Sequence, residues 1–258
     1  MNQADALVDY IKTLGPSLVA LSGGVDSCVL AVAARKALGR EKMFAVTGDS
    51  ATLPSADREY VTQFCEQQEI PHMFVGTYEY ENPNYQKNPA NRCFYCKEEL
   101  YRRLWEVARE KKLGIILDGT NLSDLQGHRP GFQALQEAKI TTPFVALEFD
   151  KAAVRFVARA WNLEVADKPQ SACLASRVPT GTPIQLEALQ EIDQAEKALR
   201  AFGFRQVRVR HHGKLARVEL TTADWILCLK NHEAVVASLK EIGFQHVTLD
   251  LVGYSRGI

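Results

Sequence analysis

The chain has no surplus of charge: 31 Lys and Arg stand against 31 Asp and Glu, for a formal net charge of zero. A protein whose main partner is nucleic acid carries a basic excess, so no nucleic-acid partner is expected. No stretch of about 18 apolar residues occurs, which excludes a helix that crosses a membrane. The opening MNQADALVDYIKTLGP reads as an amphipathic helix and lacks the charged, apolar and small-residue order of a secretory signal. The six cysteines, at 28, 65, 93, 96, 173 and 228, are dispersed through a mid-sized chain. That dispersal argues against a disulfide framework and for a reducing cytoplasm as the compartment, with any clustered cysteines read as metal-binding or catalytic. Internal repeats and low-complexity tracts are also lacking.

What is there is an ordinary globular composition, 46% hydrophobic and 24% charged over 258 residues. That length can bury one large core or two smaller ones. The apolar run SLVAL reads as a buried parallel strand that ends in SGGVDS and enters the apolar helix CVLAVAARKALG. KMFAVTGDS, PHMFVGT and GIILDGT read as further strands, alternating with the helical ADREYVTQFCEQQEI and CKEELYRRLWEVAREKKLG. FVALEF reads as a short strand and DKAAVRFVARAWN as a helix capped by Asp150. Alternation of this kind predicts an α/β fold, a mostly parallel sheet flanked by helices, with ligands at the carboxyl ends of the strands. Two long connections, 76–92 and 120–144, both follow strand ends, where long loops are usually functional. KPQSACLASRVPTGTPI then breaks the rhythm, and an αββαβ order follows it. The expected organisation is an N-terminal domain over 1–167, a cysteine-bearing hinge over 168–184 and a small α+β domain over 185–258.

SGGVDS carries the first chemistry. Its glycines let backbone approach a ligand, and serine hydroxyls with the N–H groups of a helix start can cradle phosphate. Asp26 would repel phosphate unless it helps to hold magnesium. The stretch is neither a Walker loop, which needs Lys-Ser/Thr after its last glycine, nor a GxGxxG turn. On residue chemistry alone a serine-capped Gly-Gly turn stays open. Cys93 and Cys96, in NRCFYCKEEL, stand at a helix start, where the dipole favours thiolate. With Cys173 in SACLASR they make three thiols, a set suited to three corners of an iron–sulfur cluster. A structural zinc site needs a fourth ligand, for which His72 is a candidate. Cys28, Cys65 and Cys228 read as small core residues.

SGGVDS after the first strand resembles the loop of the PP-loop ATP pyrophosphatases. The joint pattern of SGGVDS, NPANRCFYCK, DGTNLSD with HRPG, KPQSACLASRVPTG and RVRHHGKLARVE is similar to the LarE family. These are ATP-dependent sulfurtransferases of nickel-pincer nucleotide biosynthesis. The resemblance implies an enzyme that adenylates a carboxylate of pyridinium-3,5-biscarboxylic acid mononucleotide, releases pyrophosphate, and lets sulfur displace AMP. It implies ATP and Mg2+ at Ser22, Gly23, Gly24, Asp26, Ser27, Asp118, Thr120 and Asn121. It implies a 4Fe-4S cluster at Cys93, Cys96 and Cys173; in the family's other branch the cysteine at the place of Cys173 gives up its own sulfur. A small nucleotide-like carboxylate is then the substrate, with Arg129, Ser176, Arg177, Arg208, Arg210 and Glu219 as candidate contacts. An external sulfide donor and a homo-oligomer are further implications. On residues alone, Arg208 and Arg210 also fit a solvent-facing strand surface, and Asp118 to Asp124 also fit turn chemistry. A PP-loop tRNA thiolase is the alternative enzyme, disfavoured by the neutral charge balance.

Overall fold

A computed structural model describes residues 2–125, 130–169 and 171–254. Two compact units emerge, one of 1–50, 57–85 and 91–170, the other of 51–56, 86–90 and 171–258. The first unit contains β1 (Ser17–Ala20), β2 (Met43–Asp49), β3 (His72–Gly76) and β4 (Ile115–Leu117), all parallel in the order β3-β2-β1-β4. Around it run α1 (Gln3–Leu14), α2 (Val25–Leu38), α3 (Ser55–Gln67), α4 (Pro83–Gln86), α5 (Arg92–Glu110), α6 (Pro130–Glu137), α7 (Pro143–Ala146) and α8 (Lys151–Ala160).

Strand alternation assigns the two faces. Val19, Ala45 and Leu117 join a core with Leu7 and Ile11 of α1, the buried face of α2, and Val154 and Val157 of α8. Their neighbours Leu18, Val46 and Ile116 join a second core with Tyr101, Leu104 and Val107 of α5 and Leu135 of α6. Each fully buried aliphatic side chain contributes roughly 1.5–3 kcal/mol, so both faces need their helical cover. This is the expected doubly covered α/β sheet. It positions the site through its strand order. The chain leaves β1 toward β2 on one side, and β4 joins on the other, so the carboxyl end of β1 is the switch point where ligands of such sheets bind.

FVALEF is not a strand. Its first residues form α7, with Pro143 at the helix start, where its missing N–H costs nothing. Phe149 N–H then donates to Phe144 O at 2.8 Å and the two rings stack. The fifth strand position shrinks to a bridge between Leu117 and Thr141. Apolar runs this short do not distinguish strand from helix by periodicity. The long connections likewise hold α4, α6 and α7. Asp150 caps α8 as expected, accepting from Ala153 N–H at 2.8 Å.

The second unit builds α9 (Leu186–Ala201), β5 (Val207–His212), β6 (Leu215–Leu220), α10 (Trp225–Lys230), α11 (His232–Ile242) and β7 (His246–Leu249). β5 and β6 are antiparallel and β7 is parallel to β6. The tight turn between β5 and β6 uses Gly213 at φ +65°, a region that favours glycine. Leu199, Val209, Val218, Leu220, Leu239 and Phe244 fill its core. Within the same unit, buried Asn88 clamps 178–182: its Nδ2 donates to Pro179 O at 2.9 Å and Thr182 O at 3.0 Å.

Candidate active site

Ser22 to Ser27 runs from the end of β1 into α2. Gly23 takes φ +77°, and a Cβ there would stand 2.8 Å from Val61 Cγ2. Ser27 Oγ donates to Gly24 O at 3.1 Å and accepts from Ser22 N–H at 3.1 Å. With that proton spent, Ser22 is the donor across the 3.1 Å gap between the two hydroxyls. Gly24 is the helix cap and brings no side chain to the opening N–H groups of α2. A helix start left uncapped, approached by glycine backbone and bordered by hydroxyls, fits a phosphate group.

Cations border this loop. Lys168 Nζ donates to Gly23 O at 3.0 Å and pairs with Asp57 at 3.1 Å, 3.6 Å from the centroid of the Tyr60 ring. Asp26 pairs with Lys151, and its Oδ1 accepts from Asn121 Nδ2 at 3.1 Å. Burial pushes the Asp26 carboxyl up, against the lowering effect of Lys151. Asn121 Nδ2 also donates to Asp124 Oδ2 at 2.8 Å. Carboxylate oxygens on this scale are the donors that magnesium prefers.

The exit of β4 meets the same loop. A Cβ on Gly119 would lie 2.9 Å from Ser27 N, so this turn packs directly on the first turn of α2. Asp118 accepts from Thr120 N–H at 2.9 Å and Thr120 Oγ1 at 2.6 Å. Its other oxygen accepts from Lys97 Nζ at 3.0 Å and Tyr101 Oη at 2.9 Å. Burial alone would raise this carboxyl, but Lys97 and the hydrogen bonds outweigh it and hold it below the usual range. Burial would likewise depress the Lys97 ammonium, but Asp118 and Tyr101 raise it. Ser22, Gly23, Gly24, Asp26, Ser27, Asp118, Thr120 and Asn121 thus gather in one place.

Cys93 is exposed and Cys96 half-buried, both in the opening turns of α5. Thiols at a helix N-terminus suit iron ligation. Cys173 belongs to the second unit, ahead of a short helical turn at 174–177. Among the described residues, no group of three or more His, Cys, Asp or Glu is placed to hold a metal ion. His72 Nε2 lies 2.9 Å from Thr47 Oγ1, in the sheet.

In the second unit, arginines meet the backbone at Cys173 and at Ser176. Arg177 Nη1 donates to Cys173 O at 3.1 Å, Ala172 O at 2.6 Å and Ser176 Oγ at 3.0 Å. Its Nε and Nη2 hold Glu196 at 2.8 and 3.1 Å. Arg210 donates to Ser176 O at 2.8 Å and to Glu219 at 2.8 Å. Arg208, 6% exposed, pairs with Glu219 at 3.4 Å and lies over the Tyr254 ring at 4.6 Å. So Ser176, Arg177, Arg208, Arg210 and Glu219 come together, and Arg208 is buried rather than solvent-facing. Arg129 lies outside the described residues. Sequence reasoning missed Lys151, Lys168, Tyr101 and Glu196. No motif marks them, although Lys151 follows the Asp150 cap and so sits at a foreseeable helix start.

A parallel sheet with an uncapped Gly-Gly loop after its first buried strand defines a PP-loop protein, and the NAD synthase family model matches residues 2–89. An uncharacterised protein of Synechocystis is 37% identical over 258 residues, 99% of this chain and 96% of that protein. The pyridinium-3,5-bisthiocarboxylic acid mononucleotide synthase of Lactiplantibacillus plantarum is 33% identical over 253 residues, 97% of this chain and 91% of the synthase. An uncharacterised protein of Methanocaldococcus jannaschii is 29% identical over 168 residues, covering 65% of this chain and 66% of its own. With such identity along almost the whole of both chains, this chain belongs to the LarE family, the family of that synthase.

Proposed function

We propose that the protein is an ATP-dependent sulfur-inserting enzyme acting on pyridinium-3,5-biscarboxylic acid mononucleotide. The observation that carries this is the 33% identity, over 97% of the chain, to a synthase named for the bisthiocarboxylic product. ATP binds with its phosphates against Ser22–Ser27 and Mg2+ beside Asp26; Asn121 and Thr120 hold the facing turn. A substrate carboxylate oxygen attacks the α-phosphorus, the α–β phosphoanhydride bond breaks, and pyrophosphate leaves. Sulfur then attacks the adenylated carbonyl carbon and AMP departs with the original oxygen, leaving a thiocarboxylate. A second round gives the bisthiocarboxylate.

Ser176 and Arg210 supply contacts for the anionic groups of the substrate, while buried Arg208 positions Glu219, which fixes Arg210. Arg177 is a positioning residue: its nitrogens are spent on Glu196 and on the backbone at Cys173. Cys93, Cys96 and Cys173 are the thiols that would ligate a 4Fe-4S cluster; such a cluster would supply sulfide-level sulfur, with an external sulfide donor to replenish it. The charge balance supports a small-molecule substrate rather than RNA. No described helix is long and apolar enough to cross a membrane, and we place the enzyme in the cytoplasm as a homo-oligomer.

Iron and acid-labile sulfide, assayed on protein purified without oxygen, test the sulfur source. About four of each per chain are expected, lost in Cys93→Ala while ATP still binds. Absence of iron after reconstitution, together with loss of one sulfur from Cys173 on turnover, would replace the cluster by sacrifice of that cysteine.

A further inference from the structure

A carboxylate inside a loop shaped for phosphate is a liability until something neutralises it. Asp26 is the only acidic residue in Ser22–Ser27, and its side chain is 19% exposed. Lys151 supplies the positive charge, and Asn121 fills the other oxygen. Asp124, bonded to the same Asn121 amide, brings a second carboxylate close. The backbone of Lys151 is fixed, since it opens α8 and its N–H donates to Ser123 Oγ at 3.2 Å. Its side chain is not walled in: 31% of it is exposed. The ammonium can therefore leave Asp26 without disturbing the helix that carries it.

We propose that Lys151 stands in for the divalent metal. It neutralises Asp26 while no metal is bound and is exchanged for Mg2+ when the metal and nucleotide arrive. The inference rests on the reading of Ser22–Ser27 as the ATP site. A lysine ammonium is a compact, strongly hydrated point charge on a flexible stem, which suits it to trade places with a hydrated cation at hard oxygen donors. Two consequences follow from this competition. Lys151 lets ATP approach in the absence of metal, because Asp26 is already neutralised. It also opposes the metal, because both seek the same oxygen.

ATP binding to the full chain, measured by titration calorimetry with Mg2+ and with a chelator, separates the possibilities. Lys151→Met is expected to weaken metal-free ATP binding about fivefold, the upper scale of one partly exposed ion pair. With saturating Mg2+ the same variant should stay within about threefold of the parent, because metal replaces the lost charge. Adding Asp26→Asn to Lys151→Met should restore metal-free binding, since the carboxylate that needed a counterion is gone. Equal losses with and without Mg2+, or no rescue by Asp26→Asn, would overturn the exchange. A parent chain that binds ATP under neither condition would overturn the nucleotide site itself, and the exchange with it.

Discussion

His72 is a residue whose protonation the fold resists. Thr47 Oγ1 donates to Leu21 O at 2.6 Å, so the 2.9 Å contact with His72 is the ring Nε2–H donating to that hydroxyl. Protonation must then add to Nδ1, and burial, helped by the Arg58 charge, pushes the pKa down to about 4. In the unfolded chain the same ring titrates near 6.5. The folded form therefore binds the proton more weakly, and stability falls as pH drops from 6.5 toward 4, then levels off. Discounted for partial exposure, the loss is on the order of 1–2 kcal/mol. Urea unfolding across this range should show that acid limb in the parent and a flatter one in His72→Gln; parallel limbs would contradict it. Burial also separates the thiols. Cys28 and Cys65 are pushed up to about 12 and stay protonated, whereas Cys93 is exposed.

At the scale of elements, the site depends on how closely the exit of β4 meets the first turn of α2. Only hydrogen at Gly119 permits that approach, since a Cβ would stand 3.0 Å from Asp26 C and closer still to Ser27 N. Gly119→Ala is expected to lower stability by about 1–3 kcal/mol, the usual cost of overpacking, and to weaken ATP binding about tenfold or more. Calorimetry with urea unfolding checks both; unchanged nucleotide affinity would show that the turn does not shape the loop. The elements themselves were largely legible. Apolar strands after turn residues and a 3.6-residue period gave the sheet, α2 and α5, and SGGVDS lay at a strand–helix junction. FVALEF was misread because an apolar run of that length fits either state, and Pro143 decided it from outside the pattern. The burial of Arg208 was hidden because its partner Glu219 lies on the neighbouring strand, a pairing that only register reveals. Lys151 and Lys168 reach the loop from far along the chain, and single charged residues carry no mark of such contacts.

At the scale of the molecule, neutrality overall conceals local balance. The second unit sets Arg177, Arg200, Arg208, Arg210 and Arg217 against Glu196 and Glu219. A concentration of arginine built this way is compatible with a small anionic substrate and needs no basic surface. Glu196 is fully buried and holds Arg177, Arg200 and the Val209 N–H, the last at 3.1 Å. It thus ties the segment at Cys173 to β5. The first unit meanwhile gathers loop, cations and carboxylates at the carboxyl end of β1. The central claim is that the chain couples ATP cleavage to sulfur insertion. Its most direct test incubates protein purified without oxygen with the pyridinium biscarboxylate mononucleotide, ATP, Mg2+ and sulfide, and follows products by mass spectrometry. The account predicts one pyrophosphate and one AMP for each carboxylate converted to thiocarboxylate, with sulfur transfer lost in Cys173→Ala. Pyrophosphate released without sulfur entering the product, or thiocarboxylate formed without ATP, would contradict it.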